Sequence, residues 1–189
     1  DLSQPVTSDV MMELAGKDLT SYFPVPLHAG CPGLVTDPSL ELSQHQNLTA
    51  EIPQAIHKSG AAQTYDKTKL KNENWYFHTF LPRMKPYRKG YYVYDRKSIR
   101  SESSWRKWAI VHHRIYDLSN YVYSQERHPA DDKYSFLPND LVDLFDAQAG
   151  EDISSDFDAL MDSLPSNRRH QTQQCLDNAF HVGQTDFRQ

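Results

Sequence analysis

Cysteine and long apolar runs are scarce in this chain, and each shortage excludes a class of protein. Cys31 and Cys175 are the two cysteines among 189 residues. Two cysteines do not complete a tetrahedral zinc site without histidine ligands, and no CxxC or HxxxH spacing accompanies them. No run of about 18 apolar residues exists, so no membrane-spanning helix is predicted. We also expect no signal peptide, because no basic stretch is followed by an apolar one at the start.

Enzymatic signatures are also missing. The sequence contains no GxSxG, P-loop, GxGxxG or HExxH motif. Its net charge of −5 argues against general nucleic-acid binding, so no nucleic-acid partner is expected. The hydrophobic fraction of 38% is enough to build a folded core. These observations favour a globular module that is not itself an enzyme.

The pattern of apolar residues predicts strands as well as helices, and therefore an α+β fold. Residues 108–111 read as a buried strand and residues 114–118 as a second, with His112 and His113 forming the turn between them. Ser119 is predicted to cap the short helix that follows.

Two acidic helices are predicted between residues 139 and 164. Gly150 separates them, Asn139 or Asp140 is the expected cap of the first helix, and Asp152 is the expected cap of the second. The stretch holds eight carboxylates and no Lys or Arg. Such a run is typical of a solvated helical face rather than of a catalytic or metal site.

Three stretches carry weaker signals. Residues 8–23 are predicted to form a short helical unit that ends at a pair of prolines. Residues 24–65 are rich in proline and glycine, and are expected to be a connector without a core. Residues 165–189 are expected to be polar and irregular, except around residues 175–180.

A basic, tyrosine-rich stretch at residues 83–107 has nine Lys or Arg residues against Asp95 and Glu102. Its charge allows two partners, the acidic helices of the same chain or anionic lipid head groups. We favour the intramolecular partner. Just before it, the aromatic residues between Trp75 and Phe80 are expected to pack in a core or an interface, with stacking on sugar rings as the alternative.

An internal repeat links the two ends of the chain. Residues 15–23 match residues 149–157, with Ala, Gly, Asp, Ser and Phe shared in register. The repeat predicts a helix that ends at glycine, followed by a second helix with an aspartate cap and a buried phenylalanine. The chain is therefore expected to begin in the back half of one unit and to hold a complete second unit.

Cys31 and Cys175 leave two interpretations open. They are either buried thiols or a disulfide that closes a long loop, and the disulfide requires an oxidising compartment. Asn47 opens the sequence Asn-Leu-Thr, which is an N-glycosylation sequon, and is expected on the surface. Together the cysteines and the sequon favour an extracytoplasmic location.

Two groups of motifs resemble cytochrome b5. Trp-Ala-Ile-Val at residues 108–111 and Ile-Tyr-Asp-Leu-Ser at residues 115–119 resemble its front half. Ala-Gly-Glu-Asp-Ile at residues 149–153, followed by Phe157, resembles its back half. The resemblance extends over residues 92–162.

This resemblance implies a small mixed sheet with short helices, in which Trp108 and Tyr116 are buried. It also implies a haem pocket, which needs two histidine side chains as axial ligands on opposite faces of the haem. The first axial position corresponds to Gln125, and His128 comes three residues later. The second corresponds to Asp162, a poor ligand for haem iron. We therefore expect no haem, with His128 as the one candidate ligand.

A wider resemblance covers most of the chain. Residues 16–27, residues 31–35 (Cys-Pro-Gly-Leu-Val) and residues 175–180 (Cys-Leu-Asp-Asn-Ala-Phe) resemble the segment that precedes the catalytic region of fungal chitin synthases. Because Asp1 is not a natural start, we expect the chain to be a segment of such an enzyme. The resemblance implies a parent that makes chitin from UDP-N-acetylglucosamine, with a membrane helix soon after Gln189. It also implies that this segment lies outside the cytosol.

The sequence thus predicts an α+β, cytochrome-b5-like domain at residues 65–189, with a docked half-unit and a loop-rich connector at residues 1–64. Its expected role is a non-catalytic accessory domain that supports the folding, assembly or regulation of a chitin synthase at the plasma membrane or in secretory vesicles. The alternatives are a haem-binding electron carrier and a domain that binds lipid, sterol or glycan in the empty haem cleft. Expected partners are the rest of the synthase and its membrane helices, a regulator protein or a second copy. No cofactor is expected.

Overall fold

A four-stranded mixed sheet forms the centre of the fold in the computed structural model, which describes residues 12, 15–16, 25–42 and 74–186. The strands lie in the order β1-β4-β3-β2. Strand β3 pairs antiparallel with both of its neighbours, whereas β1 runs parallel to β4. Their bounds are β1 Val93–Tyr94, β2 Trp108–Val111, β3 Arg114–Asp117 and β4 His181–Thr185. The α+β class predicted from the sequence is confirmed.

Short helices connect these strands and cover the sheet. The α-helices are α1 Leu27–Gly30, α2 Leu81–Met84, α3 Arg96–Ser101, α4 Ser119–Arg127, α5 Asn139–Ala147, α6 Ser154–Ser163 and α7 Ser166–Cys175. Helix α2 is preceded by the π-helical turn Tyr76–Phe80 and followed by the 3-10 turn Lys85–Tyr87. A second π-helical turn, Leu176–Phe180, continues α7 directly into β4. No helix within the described residues is both long enough and apolar enough to span a membrane.

The C-terminal part of the chain differs from its prediction. Residues 165–189 were expected to be irregular apart from residues 175–180, yet α7, the π-helical turn and β4 occupy residues 166–185. Helix α7 is polar, and of its side chains Thr172 and Cys175 are buried. A pattern of apolar residues therefore does not reveal this helix, because tertiary contacts rather than an apolar stripe hold it in place.

Two of the three predicted helix caps differ from the prediction. Helix α5 begins after Pro138 without a side-chain cap, so neither Asn139 nor Asp140 caps it as expected. At α4, the Ser119 amide donates to Asp117 Oδ1 at 2.9 Å, so aspartate rather than Ser119 supplies the capping oxygen. At α6, the Ser154 amide and hydroxyl donate to Asp152 Oδ1 at 3.3 and 2.6 Å, so Asp152 caps this helix as predicted.

The hairpin between β2 and β3 forms at the predicted place. His112 and His113 make its two-residue turn with φ values of 47° and 66°, as a type I′ turn requires. The turn is fixed on both sides. The His112 amide donates to Ser154 Oγ at 2.9 Å, and the Thr185 amide donates to the His113 carbonyl at 2.9 Å.

The two faces of the sheet bury separate apolar clusters, as the alternation of a strand requires. Trp108 and Ile110 face the smaller cluster, together with Ile99 and Ile115. Trp108 and Tyr116 are 0% and 1% exposed, which confirms their predicted burial. The larger cluster lies on the other face, beneath α4 to α7.

The segment expected to be a connector without a core contributes to this larger cluster. Five of its side chains are buried there: Leu27, Cys31, Leu34, Val35 and Leu40. The expectation for residues 24–65 is therefore wrong for this part. Proline and glycine interrupt the apolar periodicity, but the apolar residues between them still pack against the second unit. The division at residue 64 stays a prediction.

The loop at residues 149–153 closes the open edge of β2. The Gly150 amide donates to the Trp108 carbonyl at 2.8 Å, and the Ile110 amide donates to the Glu151 carbonyl at 2.9 Å. The Ile153 amide returns a bond to the Ile110 carbonyl at 2.9 Å. This loop is one copy of the internal repeat. In the other copy Gly16 has a φ of +75°, close to the +86° of Gly150, while the predicted helix at residues 8–23 lies largely outside the described residues.

Gly150→Ala should destabilise the chain, because a Cβ there would lie 2.8 Å from Ser103 Cβ and 3.1 Å from Arg100 Cα. Alanine is also strained in the left-handed region. We expect the free energy of unfolding to fall by about 1–3 kcal/mol in urea denaturation. Gly90→Ala is the matched control, since nothing lies within 4 Å of a Cβ at that position. Equal effects of the two substitutions would contradict the proposed role of Gly150.

Candidate functional site

A disulfide joins the N-terminal segment to the end of α7. Cys31 and Cys175 lie 144 residues apart in sequence, and their Cα atoms are 4.2 Å apart. Both side chains are completely buried. Of the two interpretations that the sequence leaves open, buried thiols or a disulfide, the structure has the disulfide.

Further contacts surround this disulfide junction. The Asn178 side-chain amide donates to the Gly30 carbonyl at 2.9 Å. The ring of Phe77 packs against Gly30, where a Cβ would lie 3.3 Å from the ring edge. Phe77 also contacts the ring of Tyr76, at a centroid distance of 5.1 Å. These contacts support the expectation that the aromatic residues between Trp75 and Phe80 pack within the protein.

A polar cluster is centred on Asp177, two residues after Cys175. Arg114 Nη1 and the Tyr116 hydroxyl both donate to Asp177 Oδ1, at 2.5 and 2.6 Å. The Gln173 side-chain amide approaches the same hydroxyl at 3.5 Å. Burial and then the Asp177 carboxylate raise the pKa of the Tyr116 phenol, so the phenol stays protonated and acts as a hydrogen-bond donor. The three groups satisfy one another, which is the behaviour of a structural network.

Two other buried polar groups adjoin the larger core. The Tyr121 hydroxyl accepts a bond from the Leu137 amide at 3.0 Å, and burial raises the pKa of this phenol to about 12. The ring of His181 lies 5.7 Å from that of Tyr116. Burial, followed by the positive charge of Arg114, lowers the pKa of His181, which favours a neutral imidazole. Sequence reasoning missed Asp177 and His181, because their roles depend on the strand pairing of β4.

The basic stretch at residues 83–107 divides into two parts. In its second part Arg100 Nη2 lies 2.6 Å from Glu151, Arg96 Nη2 lies 3.4 Å from Asp152, and Lys107 pairs with Asp146. This part contacts the acidic stretch of residues 139–164, so the favoured intramolecular partner is confirmed for it.

The first part has a different environment. Every residue from 81 to 93 is exposed, and we call this segment the basic aromatic surface. Its large apolar side chains are Leu81, Met84, Tyr87, Tyr91, Tyr92 and Val93. Its cations are Arg83, Lys85, Arg88 and Lys89. None of these cations forms an ion pair within the described part of the chain.

The residues considered for haem have local partners. The ring of His128 stacks on Tyr134 at 4.6 Å, at the exposed end of α4. Gln125 donates to the Tyr121 hydroxyl at 3.2 Å. Asp162 pairs with Arg169 at 3.1 Å. Over the described residues, no group of three or more His, Cys, Asp or Glu side chains is arranged to hold a metal ion.

A small groove lies beside α4. Its volume is about 150 Å³, whereas sites for small organic ligands usually have about 300–1,000 Å³. This size gives no support to lipid or sterol binding in this groove. Its lining residues are Ser104, Trp105, Lys107, Ser119, Val122, Tyr123 and Glu126. The predicted glycosylation site, Asn47, lies outside the described residues.

These features define a disulfide-linked α+β domain in which Tyr116, Tyr121 and Asp177 are held by hydrogen bonds. No family model matches the chain. It is 50% identical over 182 residues to chitin synthase 6 of Mycosarcoma maydis, covering 96% of this chain and 15% of that protein. It is 43% identical to chitin synthase 4 of Cryptococcus neoformans var. grubii, over 100% of this chain and 15% of that protein. It is 38% identical to chitin synthase csmB of Aspergillus niger, over 100% of this chain and 10% of that protein.

The chain is therefore homologous, along its whole length, to a segment of fungal chitin synthases, and this part of the resemblance is confirmed. It spans about one seventh or less of the length of these relatives. The likeness to cytochrome b5 stays a prediction.

Removal of the disulfide should weaken the fold strongly. Cys31→Ala with Cys175→Ala should lower the free energy of unfolding by about 3–5 kcal/mol, because the bond closes a very long loop. Urea denaturation with and without reductant provides the measurement and its control. Reductant should destabilise the unsubstituted chain by a similar amount and leave the double variant unchanged. If reductant did not change the free energy of unfolding of the unsubstituted chain, the disulfide would not be needed for stability.

Proposed function

We propose that this chain is a non-catalytic accessory domain of a membrane-bound chitin synthase, and that it supports the folding and assembly of the enzyme outside the cytosol. The observation that carries the proposal is the buried disulfide between Cys31 and Cys175. Such bonds persist in oxidising compartments, and they stabilise small domains with limited cores. The bond connects the N-terminal segment to the end of α7, and apolar side chains of that segment and of the turn after α7 also pack in the larger core.

The polar cluster supports a structural rather than a catalytic role. Asp177 accepts hydrogen bonds from both Arg114 and Tyr116, so its carboxylate is already engaged. The raised pKa of Tyr116 disfavours a phenolate, and the lowered pKa of His181 disfavours an imidazolium. Such groups hold strands β3 and β4 to the π-helical turn that follows α7. By this proposal, synthesis of chitin takes place in the remaining part of the enzyme.

The arrangement of elements supports a cytochrome-b5-like scaffold. The hairpin β2–β3 leads directly into α4, and the Gly150 loop returns to the edge of β2. The sequence motifs that resemble cytochrome b5 are the ones that build this hairpin and this loop. The Asp117 carboxylate of the Tyr-Asp-Leu-Ser motif binds Ser119 and also Arg106 Nε, at 2.5 Å. By this proposal the scaffold needs no haem, since Gln125 and Asp162 stand where the axial histidines would be expected and Asp162 pairs with Arg169.

The accessory role predicts that loss of the disulfide reduces the amount of enzyme more than its intrinsic activity. In the complete synthase, Cys31→Ser with Cys175→Ser should lower the amount at the cell surface several-fold. Chitin synthesis per enzyme molecule, measured in isolated membranes, should stay within about twofold, on the expectation that destabilising changes act mainly through abundance. Gly90→Ala is the control. Normal abundance with lost activity per molecule would instead indicate a direct catalytic role.

The extracytoplasmic location predicts glycosylation. Treatment of the complete synthase with an endoglycosidase should shift its mobility, and Asn47→Gln should remove one part of that shift. A sequon is not always used, so a second acceptor is introduced by Ala130→Asn with Asp132→Thr, in an exposed turn. This variant should gain a glycan. Failure of both acceptors would place the domain in the cytosol.

A further inference from the structure

Within the described residues, the basic aromatic surface at residues 81–93 is a large exposed feature that the accessory role does not explain. Its chain runs through α2, the 3-10 turn Lys85–Tyr87 and an extended segment into β1. Six large apolar side chains are exposed to solvent here, and Tyr87 and Tyr92 are 74% and 67% exposed. Contiguous exposed apolar groups of this kind mark interaction sites.

The charge of this surface has one sign. No Asp or Glu occurs from residue 74 to residue 94, whereas Arg83, Lys85, Arg88 and Lys89 occur there. The guanidinium of Arg88 lies 3.6 Å from the centroid of the Tyr91 ring. The partner that fits this surface therefore carries negative charge together with apolar material.

Part of the acidic stretch is engaged within the chain. Asp146, Glu151 and Asp152 pair with cations of the second part of the basic stretch. Asp158 lies 2.8 Å from His112, and Asp162 lies 3.1 Å from Arg169. A second copy of this chain could therefore offer the surface only the carboxylates outside these pairs, such as the exposed Asp140 and Asp143. Self-association is for this reason a separate outcome of the test.

We propose that the basic aromatic surface binds the interface of a phospholipid bilayer, and this inference rests on the proposed function in a membrane-bound enzyme. Tyrosine rings are favoured at the depth of the head groups, where the ring is apolar and the hydroxyl is wet. Leu81 and Met84 supply apolar area, and Arg and Lys reach lipid phosphates at the ends of their long side chains. Phosphates occur in both leaflets, so the inference is compatible with an extracytoplasmic domain. Anionic lipids strengthen the contact.

Sedimentation with vesicles tests this inference on the 189-residue chain, which has its own core and disulfide. Vesicles of phosphatidylcholine alone are compared with vesicles that also contain phosphatidylserine. The chain should bind both, more tightly with phosphatidylserine, and added salt should weaken the second interaction. Substitution of all four surface cations by Gln should weaken binding to the anionic vesicles at least about tenfold, since each cation near such a membrane is attracted by its anionic head groups.

A matched control removes the same charge from the second part of the basic stretch. It replaces Arg96, Lys97, Arg100 and Lys107 by Gln. This control should retain most of the vesicle binding, because three of its four cations are already paired with carboxylates. If both variants lost vesicle binding equally, the net charge of the chain rather than this surface would account for binding, and the inference would be overturned.

Tyr87→Ser with Tyr92→Ser tests the aromatic contribution separately. This variant should lose binding to phosphatidylcholine vesicles at high salt, where the rings rather than the charges carry the interaction. Circular dichroism of every variant checks that the fold is retained. Both positions are exposed, so a stable fold is expected.

Other occupants of the surface give distinct outcomes. Concentration-dependent association in sedimentation equilibrium, abolished by the four-cation variant without any vesicle binding, would assign the surface to a second copy. Binding of chitin oligosaccharides, abolished by the double tyrosine variant without vesicle binding, would assign it to glycan. Either result overturns the bilayer inference. The accessory function is tested independently by the abundance of the cysteine variant in cells, so the two can fail separately.

Discussion

Hydrogen bonding along both edges of strand β2 holds this fold together. One edge pairs with β3, and the other receives the loop at residues 150–153. The Trp108 indole Nε1 also donates to the Ile99 carbonyl at 3.0 Å, and that carbonyl lies beside Gly150. A side chain at position 150 would separate these groups. Because α5 ends and α6 begins on either side of this loop, the glycine couples the small apolar cluster to the larger one.

Local chemistry made this central part predictable. The His112–His113 hairpin joins strands that are neighbours in sequence, and the continuous apolar run of β2 predicts a buried strand. The glycine and the aspartate cap of the Gly150 loop are likewise visible in its own residues, although its hydrogen bonds reach the distant strand β2. Strand β4 was not predictable in this way. Its residues become a strand by pairing with β3 and β1, while Gly183 and Thr185 are its most buried positions. Likewise, no local signal pairs cysteines that are 144 residues apart.

Charge complementarity relates the acidic stretch at residues 139–164 to the basic stretch at residues 83–107. Helices α5 and α6 carry an excess of carboxylates, and cations of the segment 96–107 pair with Asp146 at the end of α5 and with Glu151 and Asp152 in the loop that follows. Exposed ion pairs of this kind contribute little stability individually. Their effect visible in the structure is on the distribution of charge, because Arg96, Arg100 and Lys107 are paired with carboxylates. The sequence shows one continuous basic stretch, and the fold divides it into a neutralised part and a part that keeps its charge.

The turn that follows α7 links the structural arguments to the functional one. Cys175, Asp177 and Asn178 lie within four residues, and together they bind two different parts of the molecule. Cys175 and Asn178 hold the N-terminal segment, whereas Asp177 holds β3. Reduction of the disulfide would therefore act on both contacts, since the same short turn positions all three side chains. A protein that depends on such a junction requires conditions in which the bond persists, which connects its stability to the compartment in which it folds.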